Sequence, residues 1–224
     1  MKQLSLRFYL LATLFCVCLT ASNLYACKII CIGPFSLSGA VVLFPVVYIL
    51  NDCLAEVYGY RKARLAIWTA FALNIFVNIV SLIVVSLPGA PFWTEGESFN
   101  YVFKAAPKAT LASLLAFLAG STLNAAVLSR MKVAGGGSRF GLRAIVSSLA
   151  GETLDSLIFV PIVFGSLGMA AMLKLMAGQI VVKVGYELVI LPVTSAVVRA
   201  LKRSEQEDEF DQDISYNPFK VFDI

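Results

Sequence analysis

The stretch AIWTAFALNIFVNIVSLIVVSL, residues 66–87, contains no charged side chain. Crossing the hydrocarbon core of a bilayer takes about 20 consecutive apolar residues, so this stretch predicts a membrane-spanning helix. The whole chain of 224 residues has the same character, because 59% of its residues are hydrophobic and only 14% are charged. Ordinary soluble domains carry about 25% charged residues. The composition therefore excludes a soluble enzyme and a nucleic-acid-binding protein.

Five further apolar stretches complete a prediction of six transmembrane helices in one domain, an all-α polytopic membrane protein. Glycine and proline residues separate the stretches, and both residue types interrupt helices. The breaks fall at Gly33-Pro34, Gly59, 88–91, 135–137 and 165–168. The helices are predicted at residues 8–27, 39–58, 66–87, 109–128, 144–164 and 178–198.

The distribution of Lys and Arg sets the predicted orientation. Cytoplasmic loops of membrane proteins carry an excess of these residues. With both termini in the cytoplasm, 13 of the 18 lie inside, four lie outside and one, Lys183, lies in a span. Residues 2–27 also resemble a cleavable signal peptide, but removing them would put the other loops in conflict with this charge count.

Two further features concern the ends of the chain. Residues 201–224 are acidic and poor in apolar residues, which is typical of a disordered cytoplasmic tail. The five cysteines lie in the first quarter without a CxxC spacing, and the chain has no histidine. We therefore predict no metal site, no catalytic residue and no cofactor, and pairing of Cys27 with Cys31 stays open.

Six charged residues lie inside the predicted spans, and they form three pairs at helical spacing. Residues three or four apart share one face of a helix, and a charge at bilayer depth costs about 2.5 kcal/mol or more. We therefore expect these faces to meet one another or a wet cavity. The pairs are Asp52 with Glu56, Glu152 with Asp155, and Lys183 with Glu187.

Each pair also has a purely structural interpretation. Glu56 could form a salt bridge at the membrane interface, and Lys183 and Glu187 could neutralise each other within one helix. Glu152 and Asp155 have no basic residue nearby in the sequence and lie near the middle of their span. These two acids are therefore the strongest candidates for a binding site.

Two blocks of sequence resemble one family. Residues 52–64 follow the pattern D-x-x-x-E-x-Y-G-Y-x-x-A-R, and residues 143–159 follow R…S…G-[QE]-x-x-D-[ST]…F. Both are similar to the queuosine-precursor transporters, also called the vitamin-uptake-transporter-like (VUT) family. Position 152 departs mildly, because a Glu stands where the family often has Gln. The resemblance covers residues 8–198.

This resemblance implies import of a 7-deazaguanine base, such as preQ0, preQ1 or queuine, for queuosine modification of tRNA. A carboxylate can accept two neighbouring N–H donors of such a base bidentately. Lysine and amide groups could donate to the base carbonyl, and Phe44, Tyr48, Phe159 or Tyr186 could offer a flat apolar face. The predicted substrate-binding residues are Asp155, Glu152, Lys183, Gln179, Glu187, Asn78 and Tyr186.

A second set of charges is expected to act in gating or structure. Asp52 and Glu56 precede Arg64 by two to three helical turns across Gly59. We expect Arg64 to fold back onto one of the two acids and to close the cytoplasmic end.

Other assignments stay open at this stage. The chain could be the substrate-binding component of an importer driven by a separate ATPase, because it has no Walker motif. It could also carry another vitamin-like or nucleobase solute, or be a structural protein, although a structural role explains none of the buried pairs. The expected partners are a small-molecule substrate and the lipid of the cell (inner) membrane. Whether copies associate into a homo-oligomer stays open.

Overall fold

A computed structural model describes residues 5–25, 28–32, 35–103, 107–165 and 168–220. Within this part, the six α-helices confirm the predicted helical class, and five of them are long and apolar enough to cross a membrane. A short antiparallel hairpin, which the sequence did not predict, follows the first helix. The order is α1 (Leu6–Tyr25), β1 (Ile29–Ile32), β2 (Phe35–Ser38), a 3-10 turn (Gly39–Val42), α2 (Phe44–Ser86), α3 (Gly96–Phe103), α4 (Pro107–Ala134), α5 (Phe140–Phe164) and α6 (Met169–Glu205).

Helix α2 is broken at Gly59, where the backbone adopts φ 84° and ψ 166°. A straight helix of its 43 residues would be about 65 Å long, roughly twice the thickness of the hydrocarbon core. We call residues 44–58 α2a and residues 60–86 α2b. These halves correspond to the predicted helices at 39–58 and 66–87.

Contacts with α1 show that the chain reverses direction at Gly59. The ring of Tyr58 lies 5.2 Å from that of Phe8, near the start of α1. Asn74, 16 residues later, accepts a hydrogen bond of 2.8 Å from Asn23 near the end of α1. Helix α2a begins near the Asn23 end of α1 and ends at Gly59. Helices α1 and α2b therefore both run antiparallel to it. We call the end of the bundle at Gly59 the base.

Helices α4 and α5 approach each other closely through two glycines. A Cβ atom on Gly120 would lie 2.8 Å from the carbonyl oxygen of Gly151, and the reverse contact is equally short. Small residues at such a crossing allow membrane helices to pack backbone to backbone. This contact fixes the height of α5 relative to α4, and with it the position of the acids on α5.

The outer surface of the bundle is apolar. Many large hydrophobic side chains are exposed, among them Ile83 at 55% and Val189 at 81%. Within a membrane these surfaces face lipid, so the exposed hydrophobic side chains need no partner protein to cover them. Several polar side chains, in contrast, are buried between the helices.

Residues 206–220 differ from the expected disordered tail, because they pack against the base. The carboxylate of Asp211 accepts hydrogen bonds from the backbone N–H of Tyr60, at 2.7 Å, and from the hydroxyl of Ser129. The side chain of Arg64 donates to the carbonyl oxygens of Ser215 and Asn217 at 3.1 and 2.9 Å. The tail acids meet the basic end of the bundle, which explains why an acidic segment is held there.

The predicted helix boundaries fall inside the observed ones at most ends, since α4, α5 and α6 extend beyond the apolar stretches. The additional residues at the ends of α4 and α6 include Arg130, Lys132, Arg199, Lys202 and Arg203, whereas those at the start of α6 are mostly apolar. Whether Cys27 pairs with Cys31 stays open, because Cys27 is not among the described residues. Cys16, Cys18 and Cys53 are free thiols.

Candidate functional site

The acids of α5 meet the lysine of α6 between the helices. The Nζ atom of Lys183 lies 2.6 Å from Oε2 of Glu152 and 2.9 Å from Oδ2 of Asp155. The two acids face the same way because they are three residues apart on one helix. Their side chains are 5% and 7% exposed, whereas that of Lys183 is 18% exposed. We call these three residues the Lys183 cluster.

Two aromatic rings of α2a cover this cluster. The ammonium of Lys183 lies 4.5 Å from the ring centre of Phe44, a cation–π contact. The ring of Tyr48 follows one turn later, 5.6 Å from that of Phe44. The buried hydroxyl of Tyr48 has no hydrogen-bond partner among the described residues. The cluster therefore combines acceptors, one donor and an apolar face.

A second pair of acids lies beside the Lys183 cluster and is not paired with its lysine. Glu187, one turn beyond Lys183, is 8% exposed and lies beside the hydroxyl of Ser148. Asp52, on α2a, is 1% exposed and accepts a 2.7 Å hydrogen bond from the side chain of Asn124. The alternative in which Lys183 and Glu187 neutralise each other is therefore wrong in this arrangement.

The remaining predicted substrate residues lie at different places. Gln179 is partly buried one turn before Lys183 on α6, and Tyr186 is 40% exposed on the same helix. Asn78 donates to the backbone carbonyl of Asn74 at 2.8 Å. It thus belongs with a group of amides between α1 and α2b.

Glu56 is the centre of a second charged cluster at the base. Its carboxylate accepts two hydrogen bonds from Arg143, at 2.5 and 2.9 Å, and one from Lys202 at 2.6 Å. Lys132 donates to the backbone carbonyl of Glu56 at 2.6 Å. Glu56 is 0% exposed. We call Glu56, Lys132, Arg143, Lys202 and Asp208 the base cluster.

The tail completes the base cluster through Asp208. Its carboxylate lies 2.5 Å from Nζ of Lys132 and 2.8 Å from Nζ of Lys202. Burial on its own would raise the pKa of Asp208, but hydrogen bonds from the two lysines outweigh it and hold that pKa below its ordinary value. The tail therefore joins the base as an ionised partner.

The expected latch between Arg64 and the acids of α2a takes a different form. Glu56 bonds to Arg143 and Lys202, from α5 and α6, and the guanidinium of Arg64 donates to carbonyls of the tail. In the sequence, Lys202 contributed only to the charge count that sets the orientation, and Arg143 contributed also to the second block of the family resemblance. Both residues lie near helix ends at the level of a buried acid. This position is the signal that could have identified them as partners of Glu56.

Comparison with known proteins places the chain in a family. Residues 38–197 match the family described as "Putative vitamin uptake transporter". The chain belongs to this family. The match includes both sequence blocks that carry the resemblance, at residues 52–64 and 143–159, and with them the Lys183 cluster and Glu56. The family and the five candidate spans together identify an integral protein of the cell membrane.

A relative supports a transport function within the vitamin uptake transporter family. The protein of Bacillus subtilis (strain 168) named "Probable queuosine precursor transporter" is 25% identical over 167 residues. The alignment covers 74% of this chain and 73% of the relative. No solved structure matches the chain at a significant level.

Proposed function

We propose that this transporter imports a queuosine precursor, a 7-deazaguanine base such as preQ0, preQ1 or queuine. The observation that carries the proposal is the Lys183 cluster, in which two carboxylates share one ammonium beneath an aromatic ring, between the ends of the bundle. The name of the B. subtilis relative supports the same substrate class.

The chemistry of the cluster suits the hydrogen-bonding edge of a 7-deazaguanine. This edge presents a ring N–H and an exocyclic NH₂ side by side, and one carboxylate can accept both in a bidentate, charge-assisted arrangement. Asp155 has this role in our proposal, and Glu152 supports it. The carbonyl oxygen of the base would accept from Lys183, and the flat ring would lie against Phe44 and Tyr48.

Selectivity would follow from the same contacts. A base that lacks the paired donors leaves a buried carboxylate unsatisfied, and an unsatisfied buried polar group costs about 1–3 kcal/mol. Adenine presents a different edge, so it should compete poorly. Because guanine shares the edge, the substituent at position 7 must be recognised by other residues.

We also propose six membrane crossings with both termini in the cytoplasm. The reversal at Gly59 supports two crossings within α2, and the base carries an excess of basic residues, as cytoplasmic ends do. Cysteine labelling tests the arrangement: Gly136→Cys should react only from the inside and Glu95→Cys only from the outside. Labelling of Gly136→Cys from outside would contradict it.

The decisive test of function is uptake of labelled base by cells that depend on this protein for queuosine in their tRNA. Cells expressing the protein should take up labelled preQ0, preQ1 or queuine, and unlabelled precursor should compete where adenine does not. Cells carrying the empty vector are the control. If none of the three bases enters faster than in the control, the proposed substrate class is wrong.

A further inference from the structure

Four acidic side chains from three helices lie near the hydroxyl of one tyrosine on α2a. The hydroxyl of Tyr48 has Glu152, Asp155, Asp52 and Glu187 as its charged neighbours. Among the described residues, Lys183 is the cation that forms ion pairs within this group, and both of its pairs are with the acids of α5. If all four acids were ionised, the group would carry an excess of negative charge.

Asp52 and Glu187 carry most of that excess, because the one ammonium of Lys183 already serves Glu152 and Asp155. Their neighbouring donors are neutral, the amide of Asn124 for Asp52 and the hydroxyl of Ser148 for Glu187. Glu187 and Glu56 are both charged neighbours of Asp52, and Glu56 is already neutralised by Arg143 and Lys202. A buried carboxylate without a cation becomes neutral by binding a proton, and two adjacent carboxylates cannot readily both ionise.

Unpartnered polar atoms mark the same place independently of the charge count. Oε1 of Glu187, Oδ1 of Asn124 and the hydroxyl oxygens of Ser148 and Tyr48 have no hydrogen-bond partner in the described part of the chain. These four residues are buried, at 8%, 0%, 0% and 3% exposure. The oxygens of Glu187 and Asn124 can only accept, whereas the two hydroxyls can also donate, so the four atoms mark a buried polar site around the acids that has no cation among the described residues to neutralise Glu187.

We propose that Asp52 and Glu187 form a proton-binding pair and that import is coupled to proton entry. The identity of the cargo rests on the proposed function. A proton binds the pair from the outside and lowers the charge buried between α2a, α5 and α6. It leaves to the cytoplasm after the imported nucleobase. Lys183, Glu152 and Asp155 face the pair from α5 and α6, while Glu56 faces it from α2a with its charge already compensated by Arg143 and Lys202.

The test uses the full chain in proteoliposomes with preQ0, which is uncharged. Valinomycin and equal potassium on both sides hold the membrane potential at zero. An acidic exterior should concentrate preQ0 inside, by about tenfold for each pH unit if one proton accompanies each base, and a protonophore should abolish this accumulation. Asp52→Asn should lose the accumulation but keep preQ0 counterflow, which needs no gradient. Cys53→Ala, at the next buried position, should keep both.

Three results would overturn the proposal: accumulation that survives the protonophore, accumulation driven by a sodium gradient instead, or full accumulation by Asp52→Asn. Absence of counterflow in the unaltered protein would instead contradict the proposed substrate. Infrared spectroscopy without substrate then decides the proton site. A carbonyl band of a protonated carboxylic acid should be present at neutral pH and should be lost in Asp52→Asn or Glu187→Gln. Its absence from the unaltered protein would also overturn the proposal.

Discussion

The Lys183 cluster and the base cluster both hold buried carboxylates, but in opposite proportions to their cations. One ammonium serves both Glu152 and Asp155, whereas the single carboxylate of Glu56 has Arg143 and Lys202 as partners. The carboxylates of Glu152 and Asp155 are 5% and 7% exposed and that of Glu56 is completely buried, while Lys183 and Lys202 are similarly exposed, at 18% and 21%. A cluster with spare acceptors can bind a donor from outside, whereas a buried carboxylate that is saturated by cations from two other helices is suited to holding those helices together. The difference suggests binding at one level of the bundle and stability at the other.

The largest effect is expected from Glu56→Gln in the base cluster. The change leaves Arg143 and Lys202 buried without their counter-charge, and breaking a buried ion pair in this way costs about 3–5 kcal/mol. The free energy of unfolding in mixed SDS micelles should fall by this amount. Glu207→Gln is the matched control: the side chains of Glu207 and its partner Lys62 are 20% and 14% exposed, against 0% and 3% for Glu56 and Arg143, so this change should cost less than Glu56→Gln. If Glu56→Gln had normal stability but had lost uptake, the base cluster would have a role in transport.

Asp155→Asn tests the opposite property of the Lys183 cluster. The amide keeps the shape of the side chain but replaces one acceptor by a donor, so binding should weaken by at least about 1–3 kcal/mol. High-affinity uptake should be abolished while the protein level in the membrane stays near normal, because Lys183 keeps Glu152 as a partner. Leu157→Ile, on the exposed face of α5, is the control and should change little. If the control loses transport and Asp155→Asn does not, the acids are packing partners.

Gly59→Ala tests how the base depends on the reversal of α2. The φ and ψ angles of Gly59 lie in a region used almost only by glycine, at a cost of about 1–3 kcal/mol for other residues. The new Cβ would also lie 2.8 Å from Oδ1 of Asp211 and displace the tail. Unfolding should become easier, and a protease should cleave the tail faster. Gly178→Ala, which meets no atom within 4 Å, should be neutral or stabilising; equal loss in both variants would argue against the tail contact.

The smallest effect is expected outside the base cluster, where the base of the bundle reaches water. Arg7 pairs with Glu205 at 2.9 Å, but its side chain is 50% exposed, and exposed pairs contribute below about 1 kcal/mol. Arg7→Ala should therefore shift the unfolding free energy only slightly, and less so at high salt. A loss comparable to that of Glu56→Gln would mean that the whole end of the bundle behaves as one network.

The helices and the face shared by Glu152 and Asp155 could be predicted from the sequence, because both depend on short-range periodicity. The partners of these acids could not, because helical spacing does not tell which face of another helix lies opposite. Lys183 was four residues from Glu187 in the sequence but pairs across to α5. The packing of the tail could not be predicted for a related reason. Its composition indicates disorder when the tail is considered alone, and the basic residues that bind it lie elsewhere in the sequence.

The reversal at Gly59 also bears on the order in which the protein is assembled. Translation produces residues 207–217 after all the helices, yet these residues occupy the backbone N–H of Tyr60 and the guanidinium of Arg64. Until they are made, both groups need water or lipid headgroups as partners. The turn between α2a and α2b can therefore enter the membrane early, but its final surroundings form only when the ribosome has passed the tail. A chain that is stopped after α6 would have its crossings and would lack a finished cytoplasmic end.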